Sequence, residues 1–393
     1  MSVASKYQVA LIGRVARREE VEAVLFGRLK DLGVSRARVK LVVEDDVENL
    51  DPKSPVVAVF FGYSSVTDAA HKCLPQLLRD SVTIIPCVSD ISGATDQLPP
   101  LLHHINAFPF TAGDPTIERL VALILENLKL LRAERRLFIS YRRAESQSVA
   151  IQLYERLDAA GFDVFLDTRG VPYGTDFQAI LWHRMADSDV VVLLDTPNFR
   201  ASRWTREELS RANSTNVQIL HLLWPDVLPD ASSAFSEFML LQREDFRTRA
   251  VIKEHARLKD AAILRIVTRV EALRARALAA RHRSLVDSFC DKAREQGAKP
   301  VAVHPERFIH VELGSGRRVA VVPTVGVPRA DRCHDIERAI AKSKVAPDRV
   351  WLLYDDRGIL DAWIEHLDWL NKHLPVSVVQ ITKCTSELRE GVA

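Results

Sequence analysis

The chain is expected to be an α/β protein of three units, and three observations lead there. Short apolar runs that suit buried strands alternate with helical apolar spacing through most of the 393 residues, the pattern of parallel sheets covered by helices. The clearest series lies in the middle, between Arg135 and Asp245. After residue 297 three short strands follow one another before helices resume, so the last segment reads as a separate α/β or α+β unit. At ~150 residues per domain this length suits two or three domains. The expected division is an N-terminal domain over 1–112, a linker helix over 113–134, a central domain over 135–280 ending in a basic helix, and a C-terminal domain over 284–393, read as a sensing unit.

The central series opens on Leu137-Phe138-Ile139, which breaks into Ser140-Tyr141-Arg142-Arg143. A helix follows, then a second strand over 162–167 and the turn-rich loop Arg169-Gly170-Val171-Pro172-Tyr173-Gly174. A third strand over 189–195 leads through Pro197 and Asn198 into a helix carrying Trp204 and Glu208, and a fourth runs over 217–224. Ligands of such sheets sit beyond the carboxyl ends of the strands, which puts both the 140–143 segment and the Trp204 helix on the binding edge.

Three stretches carry a family resemblance: Phe138-Ile139-Ser140-Tyr141-Arg142-Arg143, Gly161-Phe162-Asp163-Val164-Phe165-Leu166-Asp167, and Ser202-x-Trp204-x-x-x-Glu208-Leu209. Together they resemble the Toll/interleukin-1 receptor (TIR) domain family, and most of all its NAD-cleaving bacterial and animal members, over roughly residues 135–247. One departure is small: Thr196-Pro197 stands where many relatives have Ser-Pro. The resemblance implies a flavodoxin-like parallel-sheet domain, flanked here by a small N-terminal α/β domain and the C-terminal unit. It also implies an NAD+ nucleosidase, either glycohydrolase or cyclase, acting as a regulated bacterial antiviral or stress effector. The alternative is a non-catalytic TIR scaffold for protein assembly; adaptors of that type commonly lack the glutamate that Glu208 supplies.

The residues fit that chemistry. Nicotinamide in NAD+ is a pyridinium and leaves as a neutral molecule, so the reaction needs less than a glycosidase's two carboxylates. One carboxylate can stabilise the oxocarbenium-like ribose. Glu208 lies four residues after Trp204, on the same helix face, and a tryptophan face stacks on a cationic ring. The resemblance assigns catalysis to Glu208 and the nicotinamide contact to Trp204. Glu207 also shares that face at three residues' spacing, and Trp204 could alternatively be core. The pyrophosphate wants guanidinium donors, for which Arg142 and Arg143 are candidates, though one of them could be a structural surface charge. Ser140 and Tyr141 would line the pocket. Tyr173 sits in the loop that, in the family, gates the site and touches neighbouring subunits. NAD+ is then substrate, and neither a cofactor nor a metal is called for. His183 and His221 read as structural.

Composition narrows the classes. A hydrophobic fraction of 47% supports a sizeable core, and 54 Lys+Arg against 52 Asp+Glu leave no field that selects nucleic acid. The five cysteines are scattered and never in metal-ligand spacing, which suits a reduced, cytoplasmic protein. The start lacks a signal-peptide core and no run approaches the ~18 apolar residues of a span, so no membrane is expected. Expected partners are NAD+, a second copy through the TIR domain, and an unidentified activating ligand or protein.

The flanks carry less chemistry. The order strand, helix, strand, strand, helix, strand over the first ~100 residues suggests a flavodoxin-like or degenerate TIR-like unit. Asp45-Asp46 at a strand end reads as a solvated loop. Residues 249–283 are expected to form a helix with an apolar stripe at 263, 266, 267, 270, 273 and 277. Its arginines, Arg274 and Arg281 among them, are read as a solvated basic face, with oligomerisation as the second reading. In the C-terminal unit, Glu312 lacks the lysine a nuclease needs, and Asp355-Asp356 before Gly358 reads as a solvated turn.

Overall fold

The computed structural model describes residues 7–13, 18–51, 54–62, 68–110, 114–166, 177–199, 217–229, 236–303, 308–342 and 346–390. Two compact units emerge: Met1–Glu134 with Leu264–Arg276, and Arg135–Ile263 with Ala277–Ala393.

The first unit runs β1 (Tyr7–Gly13), α1 (Arg18–Asp31), β2 (Val39–Val43), β3 (Val56–Phe61), α2 (Asp68–Arg79), β4 (Thr83–Val88), α3 (Ala94–Gln97), β5 (Phe108–Pro109) and α4 (Asp114–Asn127). The strands form one all-parallel sheet in the order β2-β1-β3-β4-β5, the flavodoxin-like arrangement. α1 buries Val21, Leu25 and Leu29, as the helical spacing requires. Gly13 ends β1 at φ +86°, where an added Cβ would sit 2.6 Å from the Phe61 carbonyl oxygen. Asp45 and Asp46 lie exposed in a 3-10 turn after β2. The helix expected as a linker ends at Asn127, with Lys129 in the left-handed region. It packs on α1, where Arg28 forks onto Glu118 through Nε (3.1 Å) and Nη2 (2.7 Å).

The second unit begins with β6 (Arg136–Ser140), α5 (Arg143–Ala159), β7 (Asp163–Leu166), α6 (Phe177–Asp187), β8 (Val190–Asp195), β9 (Gln218–Leu223) and β10 (Ser236–Leu240). Again the sheet is parallel, in the order β10-β9-β8-β6-β7. Numbered from its own first strand, this is the same flavodoxin-like order as in the first unit. β8 is buried along its whole length, as a central parallel strand should be.

α7 (Asp260–Glu295) is one continuous helix that starts later than expected. The segment before it forms an antiparallel bridge between Phe246 and Leu258 instead of a helical turn. The expected stripe is buried at Ile263, Ile266, Val270, Leu273 and Ala277. The reading of its arginines as a solvated face needs correcting at two positions. Arg274 is completely buried, paired with Glu126 and donating to the carbonyls of Arg132 and Glu134. Arg281 is buried and donates to the carbonyls of Ser188 (2.8 Å) and Ala186 (2.6 Å). A guanidinium's donors can satisfy several acceptors that would otherwise be orphaned, and that makes burial tolerable.

The chain closes with β11 (Lys299–Val303), β12 (Ile309–Glu312), β13 (Arg318–Thr324), α8 (Ala330–Lys342), β14 (Arg349–Tyr354), α9 (Asp361–Leu370), β15 (Val376–Gln380) and α10 (Cys384–Glu390). The mixed sheet runs β11 to β15 in chain order, antiparallel up to β13 and parallel from there. One face packs under Leu285, Phe289 and Ala293 of α7. The other packs under Ile336 and Ile340 of α8 and Leu367 and Leu370 of α9, a cluster that also takes in Ala186 of α6. The α/β class with parallel sheets, flanked at both ends by further α/β units, is therefore the architecture found.

Candidate functional site

The parallel strands of the central domain end together at Ser140, Leu166, Asp195 and Leu223, and that carboxyl edge is where its chemistry is expected. Ser140 and Tyr141 are buried at the tip of β6. Arg142 is the residue before α5, with an extended backbone, and Arg143 is exposed on the first turn. The β-region conformation of Arg142 turns the chain from strand into helix.

A side chain that sequence reasoning missed organises this edge. Glu145, three residues into the helix and buried, accepts from Arg142 Nη1 (2.9 Å) and from the Asn198 side-chain amide (2.7 Å). Arg142 Nη1 also reaches the Asn198 carbonyl (3.2 Å), so one acid and one base tie the start of α5 to the segment after β8. Burial pushes the Glu145 carboxyl up, but hydrogen bonds from Thr196 and Asn198 and the Arg142 charge outweigh it and hold it below the ordinary range. The available signal was the Arg142-to-Glu145 spacing at a strand-to-helix junction. The Arg142 guanidinium offered as a pyrophosphate donor is thus already engaged by a carboxylate; Arg143 is the more exposed of the two.

A second polar line crosses the sheet beside this edge. The His221 ring on β9 lies 3.5 Å from Asp195 (Nδ1 to Oδ2), at the end of β8, and 3.1 Å from Ser236 (Nε2 to Oγ), at the start of β10. The Phe238 ring lies 4.9 Å from it, centroid to centroid. His221 and Asp195 are both buried. The arrangement pins the edge strand β10 to its neighbours.

α6 faces the C-terminal domain. Asp187 Oδ1 accepts from the Val327 N–H (2.9 Å), and His183 Nδ1 accepts from the Leu360 N–H (3.4 Å). Burial, with Arg184 and Arg136 adding to it, lowers the His183 pKa to about 4.

Of the expected site residues, the structure thus brings Ser140, Tyr141, Arg142 and Arg143 to one strand end. Tyr173, Trp204 and Glu208, with the rival Glu207, lie outside the described residues, as do all of residues 167–176 and 200–216. Among the described residues no helix is long and apolar enough to cross a membrane.

Comparison with known proteins adds one firm result. A family model described as TIR domain matches residues 137–258. No curated protein matches the chain. Several solved structures are matched remotely. The C-terminal domain of glucosamine-fructose-6-phosphate aminotransferase from Francisella tularensis is 11% identical over 70% of this chain and 85% of that one, with a TM-score of 0.21. A putative phosphosugar isomerase from Silicibacter pomeroyi is 9% identical over 71% and 88%, at 0.23. An NADPH-dependent glyoxylate/hydroxypyruvate reductase from Sinorhizobium meliloti is 12% identical over 75% and 95%, at 0.21. Scores that low carry no argument. The family match identifies a TIR domain over residues 137–258, and the flavodoxin-like strand order found there is compatible with it.

Proposed function

We propose that this TIR domain is an enzyme that cleaves the bond between nicotinamide and ribose in NAD+. One observation supports the reading above others: the family match encloses Ser202-x-Trp204-x-x-x-Glu208 in its expected place after the third strand. In the reaction the C1′–N bond breaks with its electron pair passing to the pyridinium ring, which leaves as neutral nicotinamide. The ribose becomes oxocarbenium-like, and the Glu208 carboxylate stabilises that charge. Trp204 stacks on the departing ring. Water then attacks C1′ and releases a proton, giving ADP-ribose; an internal nucleophile of the same molecule gives a cyclised product instead.

Both arginines remain candidates for the pyrophosphate, and Arg143 is the more exposed. Arg142 is held by Glu145 and by the Asn198 carbonyl, so it also positions the edge. Ser140 shapes the base of the pocket. Activity depends on self-association through the TIR domain, with Tyr173 at the contact, and the flanking domains restrain it until a signal arrives. The setting is cytoplasmic, and the biological role is that of a defence or stress effector. Incubating the full chain with NAD+ and resolving nicotinamide and ADP-ribose by chromatography tests the reading; intact NAD+ at protein concentrations that support assembly overturns it.

A further inference from the structure

Away from the TIR edge, the parallel half of the third sheet has a carboxyl edge of its own. There, β13 ends at Thr324, β14 runs out into Asp355 and β15 into Ile381. A cavity of about 260 Å³ opens against these ends, roofed by α7. From α7 come Arg281, Ser284, Ser288 and Lys292, spaced along one helix face. The loop after β14 adds Arg357 and Asp355, so the lining holds three cationic side chains against one carboxylate.

How those charges are held matters. Asp355 already grips Arg357, Oδ2 to Nη2 at 2.5 Å. Lys292 Nζ donates to the Ile381 carbonyl (2.9 Å), a contact that orients the ammonium without neutralising it. Arg281 spans the cavity wall and the TIR domain, through its bonds to the carbonyls of Ala186 and Ser188. The Thr324 hydroxyl is shielded from solvent and has no hydrogen-bond partner. A buried hydroxyl left unpaired is costly and calls for an explanation. A bound acceptor would supply one.

We propose that this cavity binds a small phosphate monoester, with Lys292 and Arg281 meeting the phosphate, and that Arg281 transmits its occupancy to α6 of the TIR domain. Cationic and hydroxyl donors converging at strand carboxyl ends suit phosphate oxygens. The cavity lies just under the ~300–1,000 Å³ of ordinary ligand sites, which favours a phosphorylated sugar over a dinucleotide. α6 follows residues 167–176 directly in sequence, and a pull on Ala186 and Ser188 reaches the end of that helix. The inference stands apart from NAD cleavage and is tested without it.

Ribose 5-phosphate is the probe, with ribose as control, titrated into the full chain by calorimetry at matched ionic strength. Ribose 5-phosphate should bind and ribose should not. Lys292→Gln should weaken binding about tenfold or more, as loss of a charge-assisted contact does. Thr324→Val should weaken it too while leaving the unfolding midpoint level or higher, because it removes an unpaired hydroxyl; a residue with only a structural role would not separate the two readouts. Arg294→Gln, on the exposed part of α7, should leave affinity unchanged. On binding, amide exchange over 177–189 should slow in the wild-type chain and stay constant in Lys292→Gln. Absence of binding, equal binding of ribose, or equal affinity in wild type and Lys292→Gln overturns the site. Binding with no exchange change over 177–189 overturns the transmission.

Discussion

Arg142 and Glu145 form an ion pair at 2.9 Å across the junction where the first TIR strand turns into its helix, and Asn198 closes the arrangement from the segment after β8. The pair lies on the edge where NAD+ is proposed to bind. Glu145→Gln keeps the shape and removes the charge, and should cost about 1–2 kcal/mol in urea unfolding, since Arg142 is partly exposed and solvent screens the loss. The sign with pH follows from the lowered Glu145 pKa. The stabilisation is present above the ordinary glutamate range and disappears only as pH falls through the lowered folded-state value. Comparing acid unfolding of the two proteins checks this: the wild-type advantage should persist through mildly acidic pH and then vanish.

His183 should make the contact between α6 and the C-terminal domain acid-sensitive. Its pKa is lowered from 6.5 to about 4, first by burial and then by Arg184 and Arg136. The unfolded chain therefore takes up a proton that the folded chain refuses, so stability is lost as pH falls from 6.5 towards 4. His183→Gln should flatten that part of the stability profile. An unchanged slope would mean that the Leu360 contact tolerates the charged ring.

Breaking the buried pair in the first unit should be among the most damaging single changes. Glu126→Ala leaves the Arg274 guanidinium buried without its carboxylate, and such a loss typically costs about 3–5 kcal/mol. The double variant Glu126→Leu/Arg274→Met should recover only part of it, because an apolar pair removes both desolvation costs but leaves the Arg132 and Glu134 carbonyls without their donor. Thermal or urea unfolding of both variants separates the outcomes.

Much of the fold was legible from the sequence because its strands are continuous apolar runs and its helices carry clean stripes. β6 and β8 are examples, each buried almost throughout. β10 was not legible: Ser-Glu-Phe-Met-Leu lies half-exposed at a sheet edge and shows neither alternation nor a continuous apolar run. The start of α7 was read too early because the basic composition of 249–258 fits a helix, whereas Arg247 and Asp260 tie the segment back on itself at 2.6 Å. Arg274 and Arg281 look like solvent-facing residues in one dimension. Only the packed chain shows which backbone carbonyls need them. At the candidate site, motif spacing identified the TIR edge but could not show that Arg142 is engaged by Glu145, a contact that depends on the path of the chain after β8.

Self-association should set the activity. The sequence Arg169-Gly170-Val171-Pro172-Tyr173-Gly174 sets one aromatic between two glycines, and one buried aromatic anchor can carry ~2 kcal/mol or more at a contact. Specific activity should fall steeply on dilution, and Tyr173→Ala should move that fall to higher protein concentration. A flat profile with sedimentation showing monomers would remove the assembly requirement.

The most direct test of the central claim compares Glu208→Gln with Glu207→Gln in nicotinamide release from NAD+. Loss of one preorganised electrostatic contact typically costs about 10²–10³ in rate. Glu208→Gln should lose activity on that scale while Glu207→Gln stays close to wild type. Equal activity in all three proteins, or no release of nicotinamide by the wild-type chain, would contradict the account.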